Sequence, residues 1–470
     1  VPPAGEGADS YLADQADLTA VERFSVRADA HVHTPGARPD IYRDLIPAGP
    51  PGAGRQLAFE VDLDACTGCK ACVAACHRLN GLDDGEAWRT TTLVRSAVPG
   101  LAGRQTVTAA CHHCADPACM KGCPVDAYDK DPVTGIVVHL DDQCIGCSYC
   151  TLTCPYEVPV FNPTLGIVRK CDMCHGRLAA GEAPACVQGC PNDAITIGVV
   201  DLAEARAAAG AGGRLPGAPT SALTAPTTRY RTARAGDGGA GRWAAVSPRR
   251  PAHGHPPLAV MLVLTQSSLG ALLAAVTMSA VGADRSAVVV TTGTAVVAAG
   301  AGMAASLAHL GRPLHAWRAV IGLRHSWLSR EVAAFGAYLP ALAAFTGLVV
   351  LGSPFGPVVT AGAGALAAGA GVAGVACSVM IYVVTGRRPW TLRHVASAFG
   401  LTAVAGGLAS ALVALAAAGV IRRVGAGPGS PLASWASWAH LFLAALVLAG
   451  FLAVEVARRC RFFTTSAPPP

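Results

Sequence analysis

Sixteen of the eighteen cysteines lie between Cys66 and Cys190, in four groups of four. A chain with that pattern has to fold around whatever its thiols hold. The first group is Cys66, Cys69, Cys72 and Cys76, spaced C-x2-C-x2-C-x3-C. The second is Cys111, Cys114, Cys119 and Cys123, spaced C-x2-C-x4-C-x3-C. The third, Cys144, Cys147, Cys150 and Cys154, repeats the first, and the fourth, Cys171, Cys174, Cys186 and Cys190, has a longer middle gap. Pro124, Pro155 and Pro191 each follow the last cysteine of a group.

A cubane [4Fe–4S] cluster takes three thiolates from such a tight loop, and the cysteine before proline ligates the other cluster of a pair. Zinc also uses C-x2-C pairs, but four ligands satisfy it, so neither the third close cysteine nor the proline would be needed. A disulfide framework needs an oxidising compartment, and residues 1–58 show no export signal. Iron–sulfur clusters are therefore the expected occupants, with iron bound by all sixteen cysteines, in an α+β ferredoxin-like domain. The pairing rule extends to a nested arrangement, outer group with outer and inner with inner. One cluster then uses Cys66, Cys69, Cys72 and Cys190, and its pair uses Cys171, Cys174, Cys186 and Cys76. The inner two use Cys111, Cys114, Cys119 with Cys154, and Cys144, Cys147, Cys150 with Cys123. His77, His112, His113 and His175 lie near the clusters as surface or supporting residues, since cysteine already fills every ligand position.

The chain divides sharply. Residues 1–58 form an N-terminal extension, in which Asp9–Phe24 has the spacing of a short amphipathic helix: a solvated arm or a clasp for a partner. Residues 59–205 form the cluster domain, with β signals at Leu57–Val61, Ile136–Leu140 and Ile195–Val200. Residues 206–257 are rich in Gly, Ala, Pro and Arg without periodicity and read as a flexible linker. Residues 258–458 form an all-α polytopic membrane domain, and residues 459–470 a tail. Six apolar stretches near 258–282, 287–309, 331–352, 357–384, 394–420 and 434–457 are each long enough to span a bilayer, which takes about 20 helical residues. Gly362, Gly364, Gly369, Gly371 and Gly374 allow close helix packing. Arginines cluster in alternate connections, Arg312, Arg318, Arg324 and Arg330 in one and Arg387, Arg388 and Arg393 in another. That bias puts the cluster domain and both termini in the cytoplasm, on a multi-pass protein of the inner membrane. The formal charge of +6 is no sign of nucleic-acid binding. Four oxidised clusters with their thiolates add roughly −8, and the arginines flank membrane spans.

The runs CTGCKACVAACH, CHHCADPACMKGCPVDAY, CIGCSYCTLTCPYEVP and KCDMCHGRLAAGEAPACVQGCPNDAI resemble the four-cluster electron-transfer subunit of the dimethyl sulfoxide reductase family, over about 59–201. Related nitrate reductase subunits carry Trp at one cysteine of the third group and a three-iron cluster there. Cys147 stands at that position here, so the resemblance implies four [4Fe–4S] clusters. The loop HLGRPLHAWRAVIGLRHSWLSREV resembles the membrane-anchor subunit of the same family, over about 255–458. That anchor has eight spans and oxidises menaquinol. By this likeness, His309 and Glu331 correspond to residues of the quinol site.

Chemistry supports that pairing. Quinol oxidation releases two electrons and two protons, and a histidine and a carboxylate at the membrane edge can accept the protons. Ionisable groups in an apolar segment are costly, which argues for function. The structural alternative has His309 at a helix C-terminus and Glu331 meeting the positive end of span three. Arg312 and Arg330 are weaker candidates for the site and read more simply as topology markers. No haem is expected, because no histidine pair lies at bilayer mid-depth; Cys377 reads as a packing residue and Cys460, in the tail, as incidental. The expected function is an electron-transfer and anchor subunit. It would carry electrons from menaquinol or another quinol through the clusters to a separate molybdopterin catalytic subunit, with the lipid and quinone pool as its other partner. The same relay run in reverse, or a scaffold without a quinone site, are the alternatives.

Overall fold

The computed structural model describes residues 44–96, 104–211, 222–233, 243–245, 256–387, 390–425, 442, 446 and 448–460. The amphipathic stretch Asp9–Phe24 lies outside them. The cysteine-rich half runs β1 (Arg55–Asp62), α1 (Ala71–Leu79), β2 (Thr90–Ser96), β3 (Arg104–Ala109), α2 (Ala118–Gly122), β4 (Tyr128–Lys130), β5 (Val137–His139) and α3 (Tyr149–Thr153). It continues with β6 (Val160–Asn162), β7 (Ile167–Arg169), α4 (His175–Ala179), α5 (Ala185–Gln188), β8 (Ile195–Asp201) and α6 (Leu202–Gly210). The three β signals read from sequence fall in β1, β5 and β8.

Strand pairing brings distant cysteine groups together. β1 precedes the first group and β8 follows the fourth, and the two pair antiparallel from Arg55↔Asp201 to Val61↔Ile195. Leu57, Phe59, Ile195 and Ile197 are buried in the core this pairing makes. The hairpin β4–β5 does the same for the inner groups, lying between Cys123 and Cys144. Apolar burial and main-chain hydrogen bonds therefore hold outer with outer and inner with inner.

The expected linker is not free along its length. β9 (Arg229–Arg231) joins β1 in parallel and β10 (Trp243–Ala245) joins β2 antiparallel. Thr224, Thr227 and Thr228 are buried, and Thr227 Oγ1 donates to His112 O at 2.8 Å. Main-chain and hydroxyl groups make these contacts, so no apolar periodicity marks them in the sequence.

The membrane half contains α7 (Pro256–Ala280), α8 (Arg285–Ala308), a 3-10 helix over Pro313–Val320, α9 (Trp327–Val350), α10 (Pro357–Val383) and α11 (Leu392–Gly425). Each of the five long helices is long and apolar enough to cross a membrane. Most of the expected sixth span lies outside the described residues, although 448–460 are helical. α7 is the most buried and sits at the centre. Three of the five α10 glycines do allow close packing, against α9. Gly364, Gly371 and Gly374 are hollows that receive Phe345, Tyr338 and Phe335 of α9, with ring carbons 3.0, 2.9 and 2.7 Å from where a methyl would stand. Gly362 and Gly369 face open space. Close backbone approach occurs instead between α7 and α11, where a methyl on Gly270 would meet Gly407 N at 2.9 Å.

The segment between α8 and α9 docks on the cluster domain through main chain. Gly311 N donates to Gly146 O at 3.3 Å, Arg312 N to Ile145 O at 3.0 Å and Gly322 N to Pro124 O at 2.9 Å. Ser326 Oγ donates to Gly122 O at 2.7 Å. Arg312 and Arg318 reach Asp141 O and Asp142 O, both at 2.8 Å, and Arg387 holds Leu152 O and Thr151 O at 3.2 and 3.3 Å. These arginines clamp the two halves together as well as marking loops. At the tightest point Gly146, Gly166 and Gly311 meet backbone to backbone. A methyl on Gly311 would stand 2.6 Å from the Gly166 carbonyl carbon. Gly311→Ala is expected to destabilise the docked form by about 1–3 kcal/mol, the usual range for overpacking. Limited proteolysis of the 311–325 segment in the detergent-solubilised protein would report it as faster cleavage. Gly293→Ala, where nothing lies within 4 Å, should leave cleavage unchanged.

Candidate functional site

The cysteine loops repeat two small turns. In the first, a backbone N–H two residues on points at the sulfur: Gly146 N to Cys144 Sγ and Met173 N to Cys171 Sγ, both at 3.4 Å. In the second, the N–H four residues on does so: Ala127 N to Cys123 Sγ and Ala194 N to Cys190 Sγ, both at 3.3 Å. The loops need left-handed backbone, found at Gly68, Lys70, Gly146, Ser148, Met173 and Cys174. Gly68 and Gly146 take it without strain. Each of these N–H groups lends a partial positive charge to a sulfur that has to carry negative charge.

Four sets of thiols come together. Burial pushes the Cys66 thiol up against the pull of the Gly68 N–H, and the neighbouring thiols of Cys72, Cys190 and Cys69 push it further. Cys76 is pushed up to about 12 by burial and then by Cys186 and Cys174. Cys114 is held well above the ordinary range by burial, with Cys111, Cys154 and Cys119 as neighbours. Cys147 is raised to about 12 by burial, with Cys123 and Cys144 beside it, and Cys150 has the same three thiols around it. Two sets line cavities, Cys66, Cys69, Cys72 and Cys190 in one and Cys111, Cys114, Cys119 and Cys154 in the other. Among the described residues no three histidine, cysteine or carboxylate side chains converge tightly enough for a single metal ion. The thiols stand around a space, which suits a polynuclear cluster better than one zinc.

The sets form a row. Cys72 lies near Cys186, Cys171 near Cys111, and Tyr128 stands between Cys119 and Cys150. Two buried cations lie within it. Arg89 packs over Phe59, 4.6 Å from the ring centroid, and Nη1 donates to Thr108 Oγ1 at 3.3 Å. Among the described residues its Nε and Nη2 meet no oxygen or nitrogen acceptor, and the Cys186 thiol is its hydrogen-bonding neighbour there. Four thiols act on it most strongly once burial is set aside: Cys186, Cys171, Cys72 and Cys76. Lys170 donates to Val137 O and, at 2.9 Å, to Cys171 O, with Cys111, Cys119 and Cys171 nearby. Buried cationic N–H groups aimed among thiols fit an anionic cluster between them.

The end of the row holding Cys123, Cys144, Cys147 and Cys150 faces the membrane half. Tyr149, between Cys147 and Cys150 in sequence, donates from its hydroxyl to Ile381 O of α10 at 2.9 Å. Burial raises Tyr149, and the nearby Glu331 carboxylate and Cys147 add to that. Glu331 lies in the second turn of α9 and is 3% exposed. It accepts a hydrogen bond from Ser378 of α10, so its carboxylate reaches across to the next helix rather than back to its own N-terminus. His309 caps the C-terminus of α8, two residues before the Gly311–Gly146 contact. Arg330 donates to Leu323 O and Arg324 O and covers the Trp327 ring, which makes it a brace for the loop. Sequence reasoning missed Arg89, Tyr149 and Lys170. Their positions inside or beside cysteine loops were the available signal.

Residues 104–200 match the 4Fe-4S dicluster domain family, and residues 252–455 match the DMSO reductase anchor subunit (DmsC) family. The B subunit of the anaerobic dimethyl sulfoxide reductase of Escherichia coli (strain K12) is 39% identical over 154 residues, 31% of this chain and 75% of that protein. The thiosulfate reductase electron transfer subunit PhsB of Salmonella typhi is 40% identical over 147 residues, 30% of this chain and 76% of that protein. The hydrogenase-2 operon protein HybA of Escherichia coli O157:H7 is 34% identical over 199 residues, 36% of this chain and 60% of that protein.

Raised thiol values have a direct consequence once iron is removed. Only the thiolate attacks an alkylating agent. After chelation at pH 8, iodoacetamide should label the exposed Cys69 first. Cys76 and Cys147, pushed up to about 12, should resist until the pH rises well past 9. Peptide mapping by mass spectrometry after timed labelling checks the order.

Proposed function

Because this chain belongs to the dimethyl sulfoxide reductase family, as an iron–sulfur electron-transfer subunit joined to its membrane anchor, we propose that it passes electrons from membrane quinol to a separate molybdopterin catalytic subunit. Four [4Fe–4S] clusters, held by the nested thiol sets, would supply a one-electron relay. The ligands are Cys66, Cys69, Cys72 and Cys190; Cys171, Cys174, Cys186 and Cys76; Cys111, Cys114, Cys119 and Cys154; Cys144, Cys147, Cys150 and Cys123. The neighbour relations among these thiols support the assignment.

One observation carries the quinol half of this reading. The membrane-side thiol set and the buried Glu331 meet through Tyr149. A buried carboxylate hydrogen-bonded to a serine hydroxyl in an apolar helix pair is costly to keep and suited to taking a proton. His309 sits at the same end of the helices and serves as the second proton acceptor. The arginine-rich loops contact the cluster domain, so positive-inside bias would place that domain in the cytoplasm, on an inner membrane crossed six times. The substrate belongs to the catalytic partner; the relatives carry the names of dimethyl sulfoxide and thiosulfate reductases.

Glu331→Gln keeps the shape and removes the proton acceptor. Reduction of the clusters by a menaquinol analogue in membranes should slow by about 100-fold or more, the lower range for a general base, with iron content unchanged. An unchanged rate would leave the chain as an anchor without its own quinol site. Cys76→Ser tests the nesting. It should alter the paramagnetic signal of the cluster held by Cys171, Cys174 and Cys186 and spare that of Cys66, Cys69 and Cys72. The experiment that tests the whole reading is gentle solubilisation followed by metal and subunit analysis. Molybdenum with one large co-purifying subunit supports it, and a molybdenum-free redox partner overturns it.

A further inference from the structure

Arg89 and Lys170 are the buried arginine and lysine side chains among the described residues of the cysteine-rich half. They sit at consecutive joints of the row. Arg89 has Cys72 of one set and Cys76, Cys171 and Cys186 of the next around it. Lys170 has Cys171 of that second set and Cys111 and Cys119 of the third. The last joint, toward the membrane, holds the neutral Tyr128 between Cys119 and Cys150. Arg312 is the cation near Cys144, but it lies at the surface, where solvent and salt screen it.

The placement is built. Arg89 is fixed by Thr108, whose hydroxyl is also 3.6 Å from Cys72 Sγ, and by the Phe59 face. Lys170 is fixed by two main-chain carbonyls. Neither geometry stabilises the polypeptide fold in any obvious way, since burying a cation is costly unless an opposite charge meets it. Among the described residues the remaining N–H groups of Arg89 meet no oxygen or nitrogen acceptor and face the Cys186 thiol.

We propose that Arg89 and Lys170 raise the reduction potentials of the three sets they border above that of the membrane-side set, most at the second set, which both cations touch, and so draw electrons away from the membrane. Uptake of one electron takes a four-thiolate cluster from roughly −2 to −3, and net charge is one of the determinants of its potential. A fixed buried cation stabilises the more negative form. The three sets farther from the membrane have such a cation and the membrane-side set does not. Electrons entering beside Glu331 therefore run toward higher potential as far as the second set, and the outermost set stays above the membrane-side one. This inference rests on the reading of the four thiol sets as cluster ligands.

The test is a potentiometric titration of the membrane-bound complex, followed by electron paramagnetic resonance. Arg89→Gln should lower the potentials of the two clusters it separates, so that at fixed ambient potential the reduced-to-oxidised ratio of each falls about tenfold, ~59 mV for one electron. Lys170→Gln should do the same to the second and third clusters. Neither should move the membrane-side cluster. Arg89→Lys and Lys170→Arg keep the charge and should restore most of the shift. If a neutral variant does not retain its clusters while its charge-keeping counterpart does, the requirement still lies in the charge. No shift with all clusters present, or the same shift or cluster loss in neutral and charge-keeping variants, overturns the proposal. Iron and sulfide content of the unmodified complex separates this from failure of the underlying reading. Fewer than four clusters there would sink the ligand assignment itself.

Discussion

Gathering sixteen thiols, most of them wholly or partly buried, where charge is expensive is the constraint on which the cysteine-rich half is built. Buried thiols next to other thiols resist ionisation, as the upward displacement of Cys76, Cys123, Cys147 and Cys154 shows. The fold answers locally with backbone N–H groups at two and four residues beyond a cysteine. It answers at longer range with Arg89 and Lys170. The local answer requires left-handed turns, which is why the loops carry Gly68 and Gly146 and why the short helices α1, α3 and α4 start where they do. The long-range answer requires that strands carry the two cations into the core, and β2 and β7 end or begin beside them.

The second dependence is between the halves. The contact from Gly311 to Ser326 is almost entirely main chain on one side or the other, so it specifies position without needing large apolar side chains. Each such hydrogen bond contributes only about 0.5–1.5 kcal/mol net, but together with the arginine clamps they fix the third cysteine loop against the ends of α8, α9 and α10. That rigidity matters because Tyr149 then stands between a thiol set and Glu331. On the proposed reading, in which quinol is oxidised at Glu331, that rigidity would hold donor and first acceptor at constant separation.

Much of this was readable from the sequence. Cysteine spacing pointed to the occupants, and the outer-with-outer relation of the thiols in space has a visible cause in the pairing of β1 with β8. Apolar run length located the five described long helices to within a few residues. Three things were not readable. Residues 222–233 and 243–245 make their contacts largely through hydroxyls and main chain, which leave no hydropathy pattern. The glycines of α10 pointed to close packing, but that Gly374, Gly371 and Gly364 receive Phe335, Tyr338 and Phe345 of α9 shows only in the three-dimensional pairing. Arg459 is the first residue of the expected tail. It is 2% exposed, donates to Ala398 O and Thr402 Oγ1, both at 2.9 Å, and pairs with Glu455 at 3.4 Å, closing the last helix onto α11.

The segments between the two halves show why joining them in one polypeptide is more than tethering. A free linker would raise the local concentration of one half near the other and leave their orientation to the docking surface. Here β9 adds a parallel strand to the sheet that closes the outer cysteine groups, and Tyr230 from it donates to Thr108 O at 3.1 Å. Thr108 in turn holds Arg89 and lies against Cys72. The path from the membrane helices back to the cluster domain thus runs through a strand that supports the side chain at the first joint of the thiol row. Covalent connection and electrostatic arrangement share the same residues, so the segment between the halves is part of the electron-transfer architecture.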